Sequence, residues 1–315
     1  VSARERVGAP EDAGLLLEVA ASLAEPFADT SILPTFALCK IAREEITVAL
    51  SGDGADELLA GYVTLAADRL HRRLSVVPRP ARRALRGALD LLPESRRKVN
   101  WLFKAKKFLA ADRLDACDAH ASWRMLAPTD AALRLLAPEV VPAGFDAFEP
   151  FRRAWDEGAA LRPLDRLLYV DFATWLPDDI LFKVDRASMA HGLEVRCPFL
   201  DRRLIEFAAG LPPRLKLGSR RGKVLLRRAA AGLVPDAVLH RRKEGFNSPV
   251  SAWLAGSWRD LVEDAFSARS LEATGLLARA EVERLWQEHL GGRRDHGYLL
   301  FAVLMLVLWS RRSGP

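Results

Sequence analysis

The fold class is indicated most clearly by the sequence ITVALSGDGADE at residues 46–57. Its first part, Ile46–Leu50, is a short apolar run rich in β-branched residues, which predicts a buried strand. The turn Ser51–Gly54 contains two glycines, and the helical spacing of apolar residues resumes over Asp56–Leu70. A strand, a glycine loop and a helix in this order are typical of parallel α/β proteins.

Most of the remaining sequence predicts helices. Apolar residues recur at helical spacing over Pro10–Leu23, Ser31–Arg43, Ala159–Leu176 and Ile180–His191. Because one strand cannot form a sheet, we expect the neighbours of Ile46–Leu50 to come largely from sequence before residue 1. The first residue is Val rather than Met, which favours a start inside a longer protein.

Composition indicates a globular protein of a reducing compartment. The chain has 315 residues, half of them hydrophobic, which is enough for a substantial core. Its longest apolar run, Tyr298–Trp309, is shorter than the roughly 20 residues of a membrane-spanning helix, so it predicts a buried helix. The cysteines Cys39, Cys117 and Cys197 lie far apart, which predicts neither a zinc site nor a disulfide framework and favours the cytoplasm.

The net charge of +6 arises from 47 Lys and Arg residues against 41 Asp and Glu residues. The basic residues are concentrated in three segments: Arg79–Arg86, Arg96–Lys107 and Arg220–Arg228. Such segments usually form solvated helix faces, with binding of anionic ligands or nucleic acid as the alternative.

The acidic glycine loop is the strongest candidate for a functional site. Ligands of open α/β sheets bind where strands end, and the start of the following helix offers free N–H groups. Because Asp53 and Asp56 would repel a bare pyrophosphate, they favour Mg²⁺ held by carboxylates and phosphate oxygens. In the structural alternative Asp53 caps the helix, while Asp56 and Glu57 favour its positive end. The motif alone supports both interpretations equally.

Two other segments combine charges with turns. In Trp175–Asp201, Asp179 and Lys183 are four residues apart, which favours a surface ion pair on a helix. Arg196 in the same segment could pair with carboxylates of the chain or of a substrate. The segment Arg241–Pro249 leads from a cationic cluster into a glycine turn, as in loops that close on phosphates.

Taken in order along the chain, these segments resemble the synthetase domain of the asparagine synthetase family, which also includes β-lactam synthetase. The resemblance is carried by Glu25–Asp29, Ser51–Tyr62, Trp175–Asp201, Arg242–Phe246 and Leu300–Trp309, which occur in the family's order and at familiar intervals. Between Leu70 and Pro163 no family motif can be placed. A single asparagine synthetase-like domain over residues 1–315 is therefore expected.

The resemblance implies an α/β fold of the N-type ATP pyrophosphatases with a mainly helical C-terminal part. It also implies that a substrate carboxylate, aspartate by default, is adenylated by ATP and then attacked by ammonia derived from glutamine. Carried over to this sequence, Ser51 and Gly52 contact the nucleotide, Asp53 assists formation of the adenylate, and Asp56 binds Mg²⁺. Lys243 matches the lysine that stabilises negative charge on the reacting phosphates.

Two hallmarks of the family do not occur in the sequence. It contains no Ser-Gly-Gly-x-Asp-Ser pyrophosphate loop (PP-loop) and no N-terminal cysteine domain that releases ammonia from glutamine. We expect the first strands, the PP-loop and the glutaminase domain to precede residue 1 in the parent chain. The fragment alone should then be nearly inactive. Small-molecule substrates are the expected partners, a homodimer is allowed, and neither nucleic acid nor a membrane is expected.

Three rival functions fit parts of the pattern. Another Mg²⁺–nucleotide enzyme, such as an acidic-loop phosphohydrolase, would share the strand and glycine loop but would not predict the Lys243 segment. A basic helical module that binds nucleic acid would fit the net charge but lacks a recognition motif. A catalytically silent family member that serves in assembly would retain the motifs without turnover.

Overall fold

The structure is a computed structural model that describes residues 12–74, 77–90, 101–111, 114–219, 221–241, 245–246 and 248–313. Helices dominate the described chain. Before residue 171 they are α1 (Ala13–Ser22), α2 (Ile32–Arg43), α3 (Ala55–Leu59), α4 (Thr64–Leu74), α5 (Arg79–Asp90), α6 (Trp101–Ala110), α7 (Ala116–Ser122), α8 (Thr129–Leu133), α9 (Glu149–Glu157) and α10 (Pro163–Val170). After residue 181 they are α11 (Phe182–Met189), α12 (Arg202–Gly210), α13 (Pro213–Lys216), α14 (Val224–Ala229), α15 (Asp236–His240), α16 (Val250–Ala255), α17 (Arg259–Ala265), α18 (Ala268–Thr274), α19 (Arg279–Leu290) and α20 (Gly297–Ser313).

Two short strands form a parallel pair. Strand β1 (Val48–Leu50) lies beside β2 (Glu194–Arg196), with Val48 opposite Glu194 and Leu50 opposite Arg196. The expectation of a single strand in this chain is therefore corrected, because residues 194–196 supply a second one. That further neighbours of β1 precede residue 1 stays a prediction. Strand β2 has charged residues at both ends and no apolar run, so its extended conformation depends on pairing with β1.

The prediction of a buried strand at residues 46–50 is wrong for one of its faces. Val48 is 41% exposed and Leu50 is 75% exposed, whereas Ala49 packs against the core. Successive side chains of a strand point to opposite faces of the sheet. Within the described part of the chain, only the face of Ala49 is covered.

The predicted helix Asp56–Leu70 is divided into α3 and α4. Ala60, which follows α3, has a left-handed backbone with φ of 57°. The backbone N–H of Lys223 donates to the carbonyl of Leu59 at 2.8 Å, and a Cβ on Gly222 would lie 1.7 Å from the carbonyl oxygen of Ala60. The segment at Gly222 and Lys223 thus occupies the place where α3 would continue. Helical periodicity along the chain cannot reveal such an interruption, because the segment is distant in sequence.

The two helices predicted at Ala159–Leu176 and Ile180–His191 form one continuous unit. It consists of α10, a π-helical segment (Asp171–Leu181) and α11. Pro177 lies inside the π-helical segment. Because proline has no N–H and its ring clashes with the carbonyl one α-helical turn earlier, a wider turn accommodates it better than an α-helix.

The main core surrounds α20, which confirms the predicted buried helix. Phe301, Leu304 and Met305 on this helix are fully buried. Residues of α1, α2, α16, α17, α18 and α19 belong to the same hydrophobic cluster. None of the helices in the described ranges is long and apolar enough to cross a membrane.

Candidate functional site

The acidic glycine loop begins where β1 leaves the sheet. The Ser51 N–H donates to the carbonyl of Arg196 at 2.8 Å, so the loop starts in contact with β2. The Ser51 hydroxyl donates to Asp53 Oδ2 at 2.5 Å. The residue that caps α3 is Gly54, which has no side chain to bond the helix. Asp53 therefore does not cap α3, and that part of the structural alternative is wrong.

Gly54 is required by its backbone and by its neighbour. Its φ is 86°, which side-chain-bearing residues rarely adopt, and a Cβ would lie 2.3 Å from Leu200 Cδ2. The turn between β1 and α3 is consequently packed against the segment that follows β2.

Asp56 forms an ion pair with a lysine that the motifs did not identify. Lys223 Nζ lies 3.0 Å from Asp56 Oδ1, and the two side chains are 21% and 14% exposed. A Cβ on Gly61 would come within 1.7 Å of Asp56 Oδ1 and 2.4 Å of Lys223 Cε, so glycine makes room for the pair. Lys223 lies in the basic segment Arg220–Arg228, for which a solvated helix face is the usual expectation, and that expectation is wrong for this residue.

Glu57, the next residue of α3, is buried and hydrogen-bonded. The Tyr62 hydroxyl donates to Glu57 Oε1 at 2.5 Å. Burial raises the pKa of Glu57, and the hydrogen bond from Tyr62 partly offsets this shift. The helix therefore presents Asp56 towards Lys223 and Glu57 towards the protein interior.

A second charged cluster joins Asp29, Asp179 and Lys183. Lys183 Nζ lies 2.6 Å from Asp29 Oδ2 and 3.7 Å from Asp179 Oδ2. The Lys183 side chain is buried, so the predicted surface ion pair is wrong. Burial, together with the nearby Asp29, raises the pKa of Asp179 to about 7. Burial also disfavours the charge on Asp29, but Lys183 and Ser31 outweigh it and lower the pKa of that carboxyl.

The third predicted segment is described only in part. Lys243 lies outside the described residues, so its position stays a prediction. Ser248, in the same segment, donates a hydrogen bond to the carbonyl of Thr30 at 3.3 Å. The end of the segment Arg241–Pro249 therefore lies beside Asp29.

Arg196 pairs with a carboxylate of the chain, which is one of its two expected partners. Its Nε lies 2.8 Å from Glu194 Oε1 on the same strand. Asp201 caps α12 by accepting the Arg203 N–H at 3.0 Å. Both residues are on the surface beside the loop at Gly54.

The carboxylates of the loop fit Mg²⁺ only if phosphate oxygens and water complete the coordination of the ion, as they do at nucleotide sites. The described residues contain no group of three or more His, Cys, Asp or Glu that could hold a metal ion. At nucleotide sites, Mg²⁺ commonly takes one or two carboxylates and completes its shell with phosphate oxygens and water. Asp56, the second residue of α3, and Asp53, in the loop before it, supply carboxylates of this kind.

Comparison with known proteins identifies the class to which this fold and loop belong. The family model described as asparagine synthase matches residues 3–311. The chain therefore belongs to the asparagine synthase family, and its fold is that of a mostly helical α/β domain of the PP-loop ATP pyrophosphatase superfamily.

The relatives carry related names and are longer. A putative asparagine synthetase [glutamine-hydrolyzing] of Mycobacterium tuberculosis (strain ATCC 25618 / H37Rv) is 34% identical, over 96% of this chain and 45% of its own length. Asparagine synthetase [glutamine-hydrolyzing] 1 of Bacillus subtilis (strain 168) is 28% identical, over 90% of this chain and 43% of its own length. Amidase chyE of Penicillium rubens is 25% identical, over 89% and 44% respectively. The chain spans about half the length of these relatives.

Proposed function

We propose that the protein containing this chain forms an amide at the expense of ATP, with aspartate as the default acceptor. The substrate carboxylate attacks the α-phosphorus of ATP, and pyrophosphate leaves. Ammonia, released from glutamine elsewhere in the parent protein, attacks the acyl carbon of the adenylate and displaces AMP. The names of the Mycobacterium and Bacillus relatives support this reaction class.

The residues at the end of β1 have suitable chemistry for the first step. We assign Ser51 and Gly52 to contacts with the nucleotide and Asp53 to assistance in forming the adenylate. Mg²⁺, held by Asp56, would neutralise charge on the phosphates. The observation that carries the proposal is the juxtaposition of Asp56 and Lys223 at 3.0 Å beyond the strand end. At this place, the Asp56 carboxylate could bind Mg²⁺ and the Lys223 ammonium group could pair with the negative charge of the pyrophosphate.

The proposal also includes parts outside this chain. The sequence has no Ser-Gly-Gly-x-Asp-Ser segment, so we assign the PP-loop, further strands and the glutaminase to the rest of the parent protein. Lys243 is assigned to the negative charge that develops on the phosphates. A cytoplasmic location is proposed with the reaction, since its substrates are soluble metabolites.

The test is release of pyrophosphate by the parent protein as a function of Mg²⁺ concentration. Because an amide is a poor Mg²⁺ ligand, Asp56→Asn should weaken Mg²⁺-dependent release by at least about tenfold. Asp260→Asn is a matched control, since Asp260 also lies in the first turn of a helix, α17, away from the loop. Wild-type rates in a folded Asp56→Asn variant would refute the metal assignment. Absence of ATP-dependent pyrophosphate release in the wild type would refute the reaction.

A further inference from the structure

A buried network of charged side chains lies next to α3 and has no role in the proposed reaction steps. It consists of Asp68, His120, Arg124 and Asp171, whose side chains are at most 6% exposed. His120 and Arg124 belong to the region between residues 70 and 163, in which the sequence carries no recognisable motif.

The network is internally balanced in charge. His120 Nδ1 lies 2.8 Å from Asp68 Oδ2, and His120 Nε2 lies 3.1 Å from Asp171 Oδ1. Burial alone would lower the pKa of His120, but Asp171 and Asp68 outweigh it and raise the pKa to about 9. Arg124 makes a bidentate pair with Asp171, at 2.8 Å from Nε and 2.5 Å from Nη2. Two cations thus face two carboxylates, and removal of one member leaves a buried charge without compensation.

Arg124 connects this network to α3. The centre of its guanidinium group lies 4.1 Å from the centroid of the Tyr62 ring and 5.2 Å from that of Trp175. Tyr62 in turn donates its hydroxyl hydrogen bond to Glu57. A planar guanidinium can bind a carboxylate through its edge and stack on aromatic rings through its face, which an ammonium cannot reproduce.

We infer that Arg124 is a positioning residue for the site at Asp56. Its pair with Asp171 fixes the guanidinium plane, the plane holds the Tyr62 ring, and the Tyr62 hydroxyl holds Glu57. Since Glu57 and Asp56 are successive residues of a five-residue helix, fixing one restrains the other. The inference rests on the proposed function for its kinetic consequence, whereas the order it imposes on α3 can be measured separately.

The kinetic test compares three variants of the parent protein by pyrophosphate release. Arg124→Lys keeps the charge but loses the bidentate and stacked geometry, so it should raise the half-saturating Mg²⁺ concentration about tenfold. This increase should exceed the loss of rate at saturating Mg²⁺. Asp68→Asn disturbs the opposite end of the network and should lower the melting temperature without changing the Mg²⁺ requirement. Arg152→Lys is the matched control, because Arg152 makes a similar bidentate pair with Asp118 outside the network.

The structural test is hydrogen exchange of the amides of α3 in the same variants. Arg124→Lys should speed exchange across Ala55–Leu59, while Asp68→Asn and Arg152→Lys should not. Tyr62→Phe keeps the ring but removes the hydroxyl, so it should reproduce the faster exchange even if Arg124→Lys does not fold. If wild type releases no pyrophosphate, the proposed function fails and the exchange data still decide the role of Arg124. Unchanged α3 exchange in Arg124→Lys and Tyr62→Phe, or equal changes in Asp68→Asn, would overturn the inference.

Discussion

Two aspartates of one segment show how neighbours set the charge of a residue. Asp171 and Asp179 lie near opposite ends of the π-helical segment. Burial opposes ionisation of Asp171, but Arg124 and His120 outweigh it and lower its pKa to about 2. At Asp179, burial and the nearby Asp29 carboxylate both oppose ionisation, and together they raise the pKa of Asp179 to about 7. The same residue type therefore has opposite tendencies because of its charged neighbours.

His120 should make the stability of the fold depend on pH. Its pKa is raised from an ordinary value of 6.5 to about 9 in the folded state. Protonated His120 therefore contributes stability that is fully present below pH 6.5 and is lost as pH rises through 9. We expect the melting temperature to fall over this interval and His120→Asn to flatten the dependence. An unchanged slope in His120→Asn would show that His120 is not the titrating group.

Lys243 should be distinguishable from the arginines beside it. Lys243→Ala in the parent protein should lower turnover by about 10²-fold or more, since it would remove the cation that we propose stabilises charge on the reacting phosphates. Arg241→Ala should have little effect on turnover or melting temperature, because Arg241 is exposed. The measurements are steady-state rates and thermal unfolding of both variants. Similar losses of turnover in both would indicate that the segment acts only as a diffuse basic surface.

At the scale of elements, the unit from β1 to α4 combines a local signal with distant contacts. The glycine loop follows from the sequence, but the end of α3 at Ala60 depends on the segment at Gly222 and Lys223. The glycines of this unit serve different needs. A side chain on Gly61 would collide with the pair of Asp56 and Lys223. A Cβ on Gly52, by contrast, would meet no heavy atom of the described residues within 4 Å.

Alanine substitutions should separate these two needs. Gly61→Ala should lower the free energy of unfolding by ~1–3 kcal/mol, because the added methyl group overpacks a closed site. Gly52→Ala should leave stability nearly unchanged but weaken ATP binding, since it adds a methyl group where the backbone is proposed to approach the nucleotide. Urea unfolding and ATP titration of the parent protein measure the two effects. Unaltered ATP affinity in Gly52→Ala would contradict the assignment of Gly52.

At the scale of the whole molecule, the main core and the helix of the candidate site belong to different hydrophobic clusters. The main core is built around α20 and is contacted by Ala49 of β1, whereas Leu58 and Leu59 of α3 belong to a smaller cluster. The proposed PP-loop is not among the 315 residues. A folded core in this chain is therefore compatible with an incomplete nucleotide site.

The 315-residue chain should release no pyrophosphate by itself. Mg²⁺, ATP, aspartate and ammonia are supplied together, so that a missing glutaminase does not limit the reaction. The comparison is this chain extended upstream into the parent sequence by about 100 residues, the size of a small domain. The longer form should be active, because it would include the proposed PP-loop with its backbone N–H donors for the phosphates. Equal turnover by the two forms would mean that the shorter chain already has a complete site.

The sequence by itself determined the features that depend on local order. Periodicity located α1, α2 and the buried α20, the β-branched run located β1, and the ordered motifs identified the family. The loop at Ser51–Asp56 was found because glycines and carboxylates at a strand end have a local chemical signature. Of the residues assigned to the site, only Lys243 lies beyond the described part of the chain.

Only the tertiary structure decided which distant residues meet. Lys183 and Asp29 are 154 residues apart in sequence, and His120 and Asp68 are 52 apart. The pairing of β1 with β2 and the contact of Lys223 with Asp56 likewise join separate parts of the chain. Helical and strand periodicity predict which face of its own element a residue occupies, but not which other element that face meets. Whether a charged residue is solvated or buried with a partner depends on how elements pack, so these contacts could not be predicted from the sequence.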